Sequence, residues 1–441
     1  MGVRVGTSAA QTILVLDPSC RSAHGHHAKS LDDLIAALAP RKPVLMVNAA
    51  LPHDVFPPAM GIEVHRVFKT TVYDEPGLGP RPNDRIARRT WKLRRHVRAL
   101  ADESRRKWTR LLASSSPGAS LAAEDWDWAR WRAKWPELAT EIARIATAPI
   151  HHVIAPSSDI ELICGLAEQR QHISALAGAH IHARVITVTP AMARLRAHAG
   201  ASAAYRALLD KRMAGVHLYV ETAAMQRHVL ETYGLNSDVY PYLLAPPPFV
   251  EPAPRPGQKR AVFGYFGAMR NEKGFPRLLP ILRELASTRR LSDPALAFVI
   301  HASDADDGEA AVLRNNFGAL EGPGLEIELI TGALSEAEYA RRFAGIDATL
   351  LPYTGKRYAL SGSGIVCEAL AQGKAIVMSK GLSFAESCTP GNALEAGTDA
   401  EFAAAILTMA RDIERFRKGA STRALSYAGE VKACALLKRL A

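Results

Sequence analysis

The chain has 441 residues, 48% of them apolar and 22% charged, which allows two or three buried cores and excludes wholesale disorder. Its net charge of +11 is concentrated: residues 81–112 hold 12 Lys/Arg against 3 Asp/Glu, leaving +2 for all the rest. Five scattered cysteines with no C-x-x-C pair argue against a disulfide framework or a zinc site, and neither a signal-type apolar start nor a run of about 18 apolar residues is found, so a cytoplasmic chain is expected.

Residues 12–17 are a short apolar run closed by Pro18, the pattern of a buried strand. A polar loop with Gly25, His26 and His27 follows, then helical spacing over 30–38 and a second apolar run over 43–47. Strand, loop, helix and strand open a doubly wound α/β domain. Strand-like runs return at 152–155, 184–188 and 217–220 with helical stretches after each, the first over 160–168. An insertion at about 75–148 reads as two helices joined by a Ser/Pro/Gly loop at 114–120. Six prolines within residues 245–256 preclude helix and central strand and mark a linker. Beyond it the alternation restarts, with strands at 261–266, 297–300, 326–330, 348–351 and 375–378 and helices at 276–287, 336–343 and 364–372. The expected plan is one α/β domain over 1–250 and another over 258–441, with ligands outside the carboxyl ends of the strands.

Two segments of the second domain carry chemistry. In the first, a buried strand ends in Gly267 and is followed by Arg270, Lys273 and a helix. Glycine lets a ligand approach the backbone, and a helix start offers N–H groups and the positive end of a dipole. Arg270 can grip phosphate oxygens bidentately and Lys273 adds a point charge, which suits a diphosphate. In the second segment, a strand ending at Leu351 runs into the small-residue loop Ser361, Gly362, Ser363 and Gly364, and then into a helix bearing Glu368. The loop is an anion nest and Glu368 can accept hydrogen bonds from a ribose. Each segment alone is also compatible with an ordinary charged turn; their occurrence on successive strands of one sheet favours the binding reading.

The runs 261–279 and 350–377 resemble the carboxy-terminal domain of GT-B glycosyltransferases, particularly glycosyltransferase family 4. The resemblance implies two Rossmann-like doubly wound domains facing a cleft, with a helical insertion in the first. It implies transfer of a sugar from a nucleotide-diphosphate sugar, with retention and with no metal or separate cofactor. By the same resemblance Arg270 and Lys273 contact the donor diphosphate and stabilise the departing group. The 361–364 loop contacts sugar and phosphates, and Glu368 contacts the ribose. The family also has a glutamate eight residues before the ribose-binding one, where this chain has Leu360. That departure supports the alternative of an inactive binding or scaffold protein, which the retained Arg270, Lys273 and Glu368 oppose.

In the first domain, Gly25 and His26 follow the first strand. His26 either bonds a hydroxyl or phosphate of substrate or faces solvent. No histidine stands near Thr187 and Thr189, where the family often has one, and His151 and His152 begin a strand, a structural position. No general base is assigned; in a retaining reaction the leaving phosphate could take the acceptor proton. Asp304, Asp306 and Asp307 read as an acidic loop and not as a metal motif. All six tryptophans lie in the insertion, beside the basic run, and an apolar stripe of Ile86, Leu93, Val97, Leu100, Trp108 and Leu111 runs along it. Residues 81–135 therefore either meet an anionic membrane surface or form a helical hairpin with its tryptophans packed inward. No nucleic-acid-binding motif accompanies the charge. The expected partners are a nucleotide sugar, a glycan or lipid-linked acceptor and an anionic membrane on the cytoplasmic side.

Overall fold

Unbroken runs of branched apolar residues are what a parallel sheet covered on both faces by helices demands. Ile13–Asp17 (β1) is such a run, buried at every position. The computed structural model describes residues 12–22, 26–74, 128–197, 199, 201–241, 244–246, 249, 260–303, 305–388 and 390–441, with scattered helical positions from 87 to 104. The chain divides into two units. The first comprises Met1–Glu221, Gln226–Tyr240 and Lys438–Ala441; the second comprises Thr222–Met225 and Pro241–Leu437.

In the first unit β1 is joined by Val44–Asn48 (β2), Glu63–Phe68 (β3), His152–Ser158 (β4), His180–Val185 (β5), Val216–Val220 (β6) and Asp238–Val239 (β7). All seven pair in parallel in the order β3-β2-β1-β4-β5-β6-β7. The winding runs outward from β1 to β3, then resumes on the other side of β1 with β4. Such a reversal opens a crevice at the carboxyl ends of the two strands where it occurs, here β1 and β4.

The second unit repeats the plan with Arg260–Gly267 (β8), Ala295–Ala302 (β9), Leu325–Thr331 (β10), Ala348–Leu351 (β11), Ala375–Ser379 (β12) and Ala393–Ala396 (β13). Its parallel order is β10-β9-β8-β11-β12-β13, so the reversal falls between β8 and β11. The period of two along β8 sends Phe263 and Tyr265 into a core with Leu278, Leu282, Phe298 and Phe402. It sends Val262 and Phe266 into the opposite core with Phe343, Ile346 and Tyr353. Burial of each such side chain is worth about 1.5–3 kcal/mol.

Several elements differ from expectation. The strand expected at 184–188 is His180–Val185, because His180 and His182 enter the sheet. Strands β3, β7 and β13 were not predicted; β3 alternates half-buried polar residues and the other two are short. The loop expected at 114–120 lies outside the described residues, as do Ile86, Trp108, Leu111 and Trp126. The four described tryptophans, Trp91, Trp128, Trp131 and Trp135, are buried. Trp131 donates to Glu168 at 3.2 Å and Trp135 to Asp159 at 3.4 Å, while the Arg212 guanidinium lies 4.9 Å from the Trp128 ring centre. These tryptophans take the inward-packed alternative. Leu93, Val97 and Leu100, by contrast, are 64%, 57% and 52% exposed. Among the described residues no helix is long and apolar enough to cross a membrane.

Candidate functional site

The reversal point of the second unit carries the sequence-predicted diphosphate loop. β8 ends in Gly267, whose Cβ position would stand 3.1 Å from the Tyr265 hydroxyl oxygen. That hydroxyl sits 3.1 Å and 3.3 Å from the carbonyl oxygens of Ala268 and Lys273, to which it donates, and so folds the loop back on its own strand. Arg270 precedes the 3-10 turn Asn271–Lys273, its side chain mostly exposed and 4.0 Å from Glu272. Gly274 then adopts a left-handed φ of 69° and starts the helix Phe275–Thr288.

The loop after β11 is tied to the same place. Thr354 donates its backbone N–H to the Glu272 carbonyl at 3.1 Å and its hydroxyl to the Asn271 carbonyl at 3.2 Å. The Lys273 ammonium lies 5.7 Å from the Tyr353 ring centre, and the Tyr353 hydroxyl is 3.2 Å from the Ser363 hydroxyl. Burial pushes the Tyr353 hydroxyl well above its ordinary pKa, so it stays protonated. Tyr353 thereby links the Lys273 loop to the loop of Ser361, Gly362, Ser363 and Gly364. Ser383 fixes that loop from below by donating to the Ser361 carbonyl at 2.6 Å. Glu368, buried in the helix Gly364–Ala371, accepts from the Tyr339 hydroxyl at 2.7 Å. Leu360 is half-buried just before the loop.

The helix starts differ in a way that bears on ligands. Asp159, Ser202, Asp306, Ser335 and Thr398 each cap a helix by accepting from a first-turn amide. The helices beginning at Phe275 and Gly364 receive no such bond from their own N-cap residues, Gly274 and Ser363. Both begin at the β8/β11 reversal, where first-turn amides and the dipole attract an anion. Asp306, read from sequence in an acidic loop, is one of the capping residues, and its carboxylate is engaged by the Glu309 amide at 2.8 Å.

Arg277 was missed by sequence reasoning. From the first turn of its helix it bonds Asp399, the Ser379 hydroxyl at 3.2 Å and the Gly397 carbonyl at 3.2 Å, so it gathers the carboxyl ends of β12 and β13. A basic residue on a helix that otherwise faces a core was the available signal.

At the reversal point of the first unit, Gly25 lies outside the described residues. His26 is the first residue of the helix His26–Leu38, and its side chain is likewise not described. The neighbouring His27 makes the contacts. Its Nδ1 lies 3.2 Å from the Asp17 carboxylate and 3.2 Å from the Ser157 hydroxyl, and its Nε2 lies 3.1 Å from the Tyr73 hydroxyl. Asp17 is fully buried and also accepts from the Ser19 amide at 2.9 Å. The sequence signal was an aspartate closing an apolar strand ten residues before a histidine.

At the other end of this sheet, His152, His180, His182 and His217 stack across β4, β5 and β6, with centroids of neighbouring rings 5.1–5.8 Å apart. These are the amino ends of the strands, away from the reversal crevice.

No protein-family model and no curated protein matches the sequence. Solved structures do match by fold. A glycosyltransferase from Rickettsia africae is 9% identical with a TM-score of 0.53, covering 98% of this chain and 99% of that one. The trehalose-6-phosphate protein from E. coli bound with UDP-2-fluoro glucose is 10% identical with a TM-score of 0.53, covering 98% and 99%. WaaG, a glycosyltransferase involved in lipopolysaccharide biosynthesis, is 10% identical with a TM-score of 0.51, covering 97% and 98%. Two doubly wound parallel sheets, each reversing beside its first strand, give this chain the GT-B fold of those glycosyltransferase structures.

Proposed function

We propose that the chain is a glycosyltransferase that takes its sugar from a nucleotide-diphosphate donor held at the β8/β11 reversal. The observation that carries this reading is the pair of helix starts without a side-chain cap, at Phe275 and Gly364, set beside Arg270 and Lys273. Amides, dipole ends and two cations suit a diphosphate, and the cations also stabilise the charge that grows on the leaving group. The E. coli protein bound with UDP-2-fluoro glucose shares the fold and supports a donor of this class. Glu368, braced by Tyr339, is the proposed ribose contact.

The finer reading is hexosyl transfer with retention, without metal or further cofactor, because Arg270 and Lys273 can supply the positive charge that a metal would bring to a diphosphate. The proposed acceptor is a glycan or lipid-linked glycan of surface polysaccharide or glycolipid synthesis. An anionic membrane surface is the proposed partner of residues 81–135, reached through exposed Leu93, Val97 and Leu100 and the surrounding arginines.

The test is a nucleotide-sugar panel, read by thermal shift and by release of nucleoside diphosphate. Wild type should respond to at least one donor. Arg270→Ala combined with Lys273→Ala should lower turnover about 100-fold or more. A folded wild-type protein that binds a donor but never turns it over would instead be a scaffold.

A further inference from the structure

Parallel strands that begin level with one another set their first side chains side by side. His152 pairs in register with His180, and His182 with His217, so the amino ends of β4, β5 and β6 carry their imidazoles in one row. A cavity of about 440 Å³ opens over this row, lined by His151, His152, Gly178, His180, His217 and Arg439. All six residues belong to the first unit. His151 and His180 are exposed and His217 is half-buried. The volume falls within the roughly 300–1,000 Å³ of small-molecule sites.

The walls offer hydrogen-bond donors. His151 accepts the Thr12 amide at Nδ1, 3.1 Å away, so its neutral ring holds the proton on Nε2. His180 Nδ1 and His217 Nε2 lie 3.1 Å apart and share one proton. Two neutral rings carry two protons, so the ring that accepts has a second N–H directed away from the shared bond. Arg439 adds a guanidinium, which only donates, and it is fixed by Asp238 at 2.8 Å and by the Tyr219 hydroxyl at 2.9 Å. None of the residues lining the cavity is acidic. The surrounding charge has the matching sign. Arg41 acts on His152, and Arg170 and Arg439 act on His217, against the opposing charge of Asp238. Three guanidinium groups outweigh one carboxylate, which disfavours a cation. Among the described residues no group of three side chains is placed to hold a metal ion either. Imidazole N–H groups and a guanidinium are instead the partners that a phosphate oxygen takes.

We propose that this cavity binds the phosphate or diphosphate group of a small molecule through His151, His180, His217 and Arg439. The inference goes beyond the transferase reading and does not depend on it.

The test uses the full chain in a phosphate-free buffer near neutral pH, with inorganic phosphate and pyrophosphate as probes and sodium chloride holding the ionic strength constant. Diethyl pyrocarbonate acylates neutral imidazoles, and mass spectrometry reads the modification residue by residue. At about ten times its Kd, either probe should slow modification of His151 and His180 about tenfold. Exposed His53, on the loop after β2, should react at an unchanged rate. The same probe should raise the unfolding temperature. His180→Gln combined with His217→Gln should lose most of that rise and keep the rise induced by UDP, whereas Arg270→Ala combined with Lys273→Ala should keep the rise induced by phosphate. Should the glutamine variant fail to fold, protection in the wild type decides. Unchanged modification of His151 and His180 with both probes overturns the inference, as does equal protection by sodium chloride alone. A phosphate-induced rise that survives the glutamine changes but not the loss of Arg270 and Lys273 also overturns it, by assigning the anion to the second unit's loop. Absence of a UDP-induced rise counts against the donor reading only.

Discussion

Gly274 shows how much of the proposed donor loop depends on one residue. Its φ of 69° is a conformation L side chains rarely adopt, and a Cβ there would stand 1.8 Å from the Pro352 carbonyl oxygen. Alanine would cost about 1–2 kcal/mol for the backbone alone, and it must also push the chain after β11 away from the Lys273 turn. Gly274→Ala should therefore lower the unfolding temperature by several degrees and abolish the donor-induced shift; a variant that keeps a wild-type donor shift would argue that the two loops act separately. Sequence reasoning placed glycine chemistry at Gly267, because that residue ends a strand. The greater demand at Gly274 was not legible, since the atom it must avoid belongs to Pro352, far along the chain. Arg277 was hidden for the same reason: its partners Ser379, Gly397 and Asp399 are more than a hundred residues away.

At the scale of elements, the histidines of β4, β5 and β6 form a continuous polar layer across the amino ends of three strands. Arg439 donates to the Tyr219 hydroxyl at 2.9 Å, Tyr219 lies 3.0 Å from His182 Nδ1, and His182 Nε2 lies 3.0 Å from His152 Nδ1. With Arg439 donating, the phenol donates onward to His182, and His182 to His152, so both rings are neutral with the proton on Nε2. His180 and His217 form a second pair at 3.1 Å. Burial first, then the neighbouring histidines and Arg439, lower His182 to about 2, and burial with His180, His151, Arg41 and His217 lowers His152 to about 4. His217 is lowered too, by burial, Arg439, His180 and Arg170, against the opposing charge of Asp238.

The sign follows from linkage. An unfolded chain binds these protons below the ordinary histidine value of 6.5 and the folded chain does not, so stability is full above pH 6.5 and falls as the pH drops toward 4. Between pH 7.5 and 4.5 the unfolding temperature should fall. His182→Gln, which cannot titrate, should start lower but lose on the order of 5 °C less over that interval. Thermal unfolding by circular dichroism measures it, and equal slopes would show that the layer is not the source of acid sensitivity. The expectation that His152 is structural agrees with this geometry. The length of the ladder was invisible in sequence because its members come from three strands.

For the whole molecule, the charge distribution is uneven. Residues 81–112 carry most of the +11 net charge, and Leu93, Val97 and Leu100 expose apolar surface in the same segment. Each Lys or Arg near an anionic surface is worth about 1 kcal/mol and is screened by salt. Vesicles containing phosphatidylserine should float the protein at low salt, and raising ionic strength should release it. Replacing Leu93, Val97 and Leu100 together by Ser should weaken flotation, whereas equal binding to neutral vesicles would contradict the electrostatic part. Trp128, Trp131 and Trp135 belong to the packing around Glu168, Asp159 and Arg212, so the proposed lipid contact falls to the arginines and to Leu93, Val97 and Leu100.

Sequence alone determined the α/β class, the repeated doubly wound plan and the two loops that carry Arg270, Lys273 and Glu368. Those features are local: apolar runs, glycine and proline punctuation, and short spacings decide strand, turn and helix start before any long-range contact forms. Tertiary structure alone decided that His27 meets Asp17, that Ser157 joins them from 130 residues away, and that the histidines of three strands form one layer. It also decided which helix starts accept a bond from their own N-cap side chain and which do not. Each of these depends on strand order and register, and the spacing of residues along a chain carries no record of which strands will lie side by side.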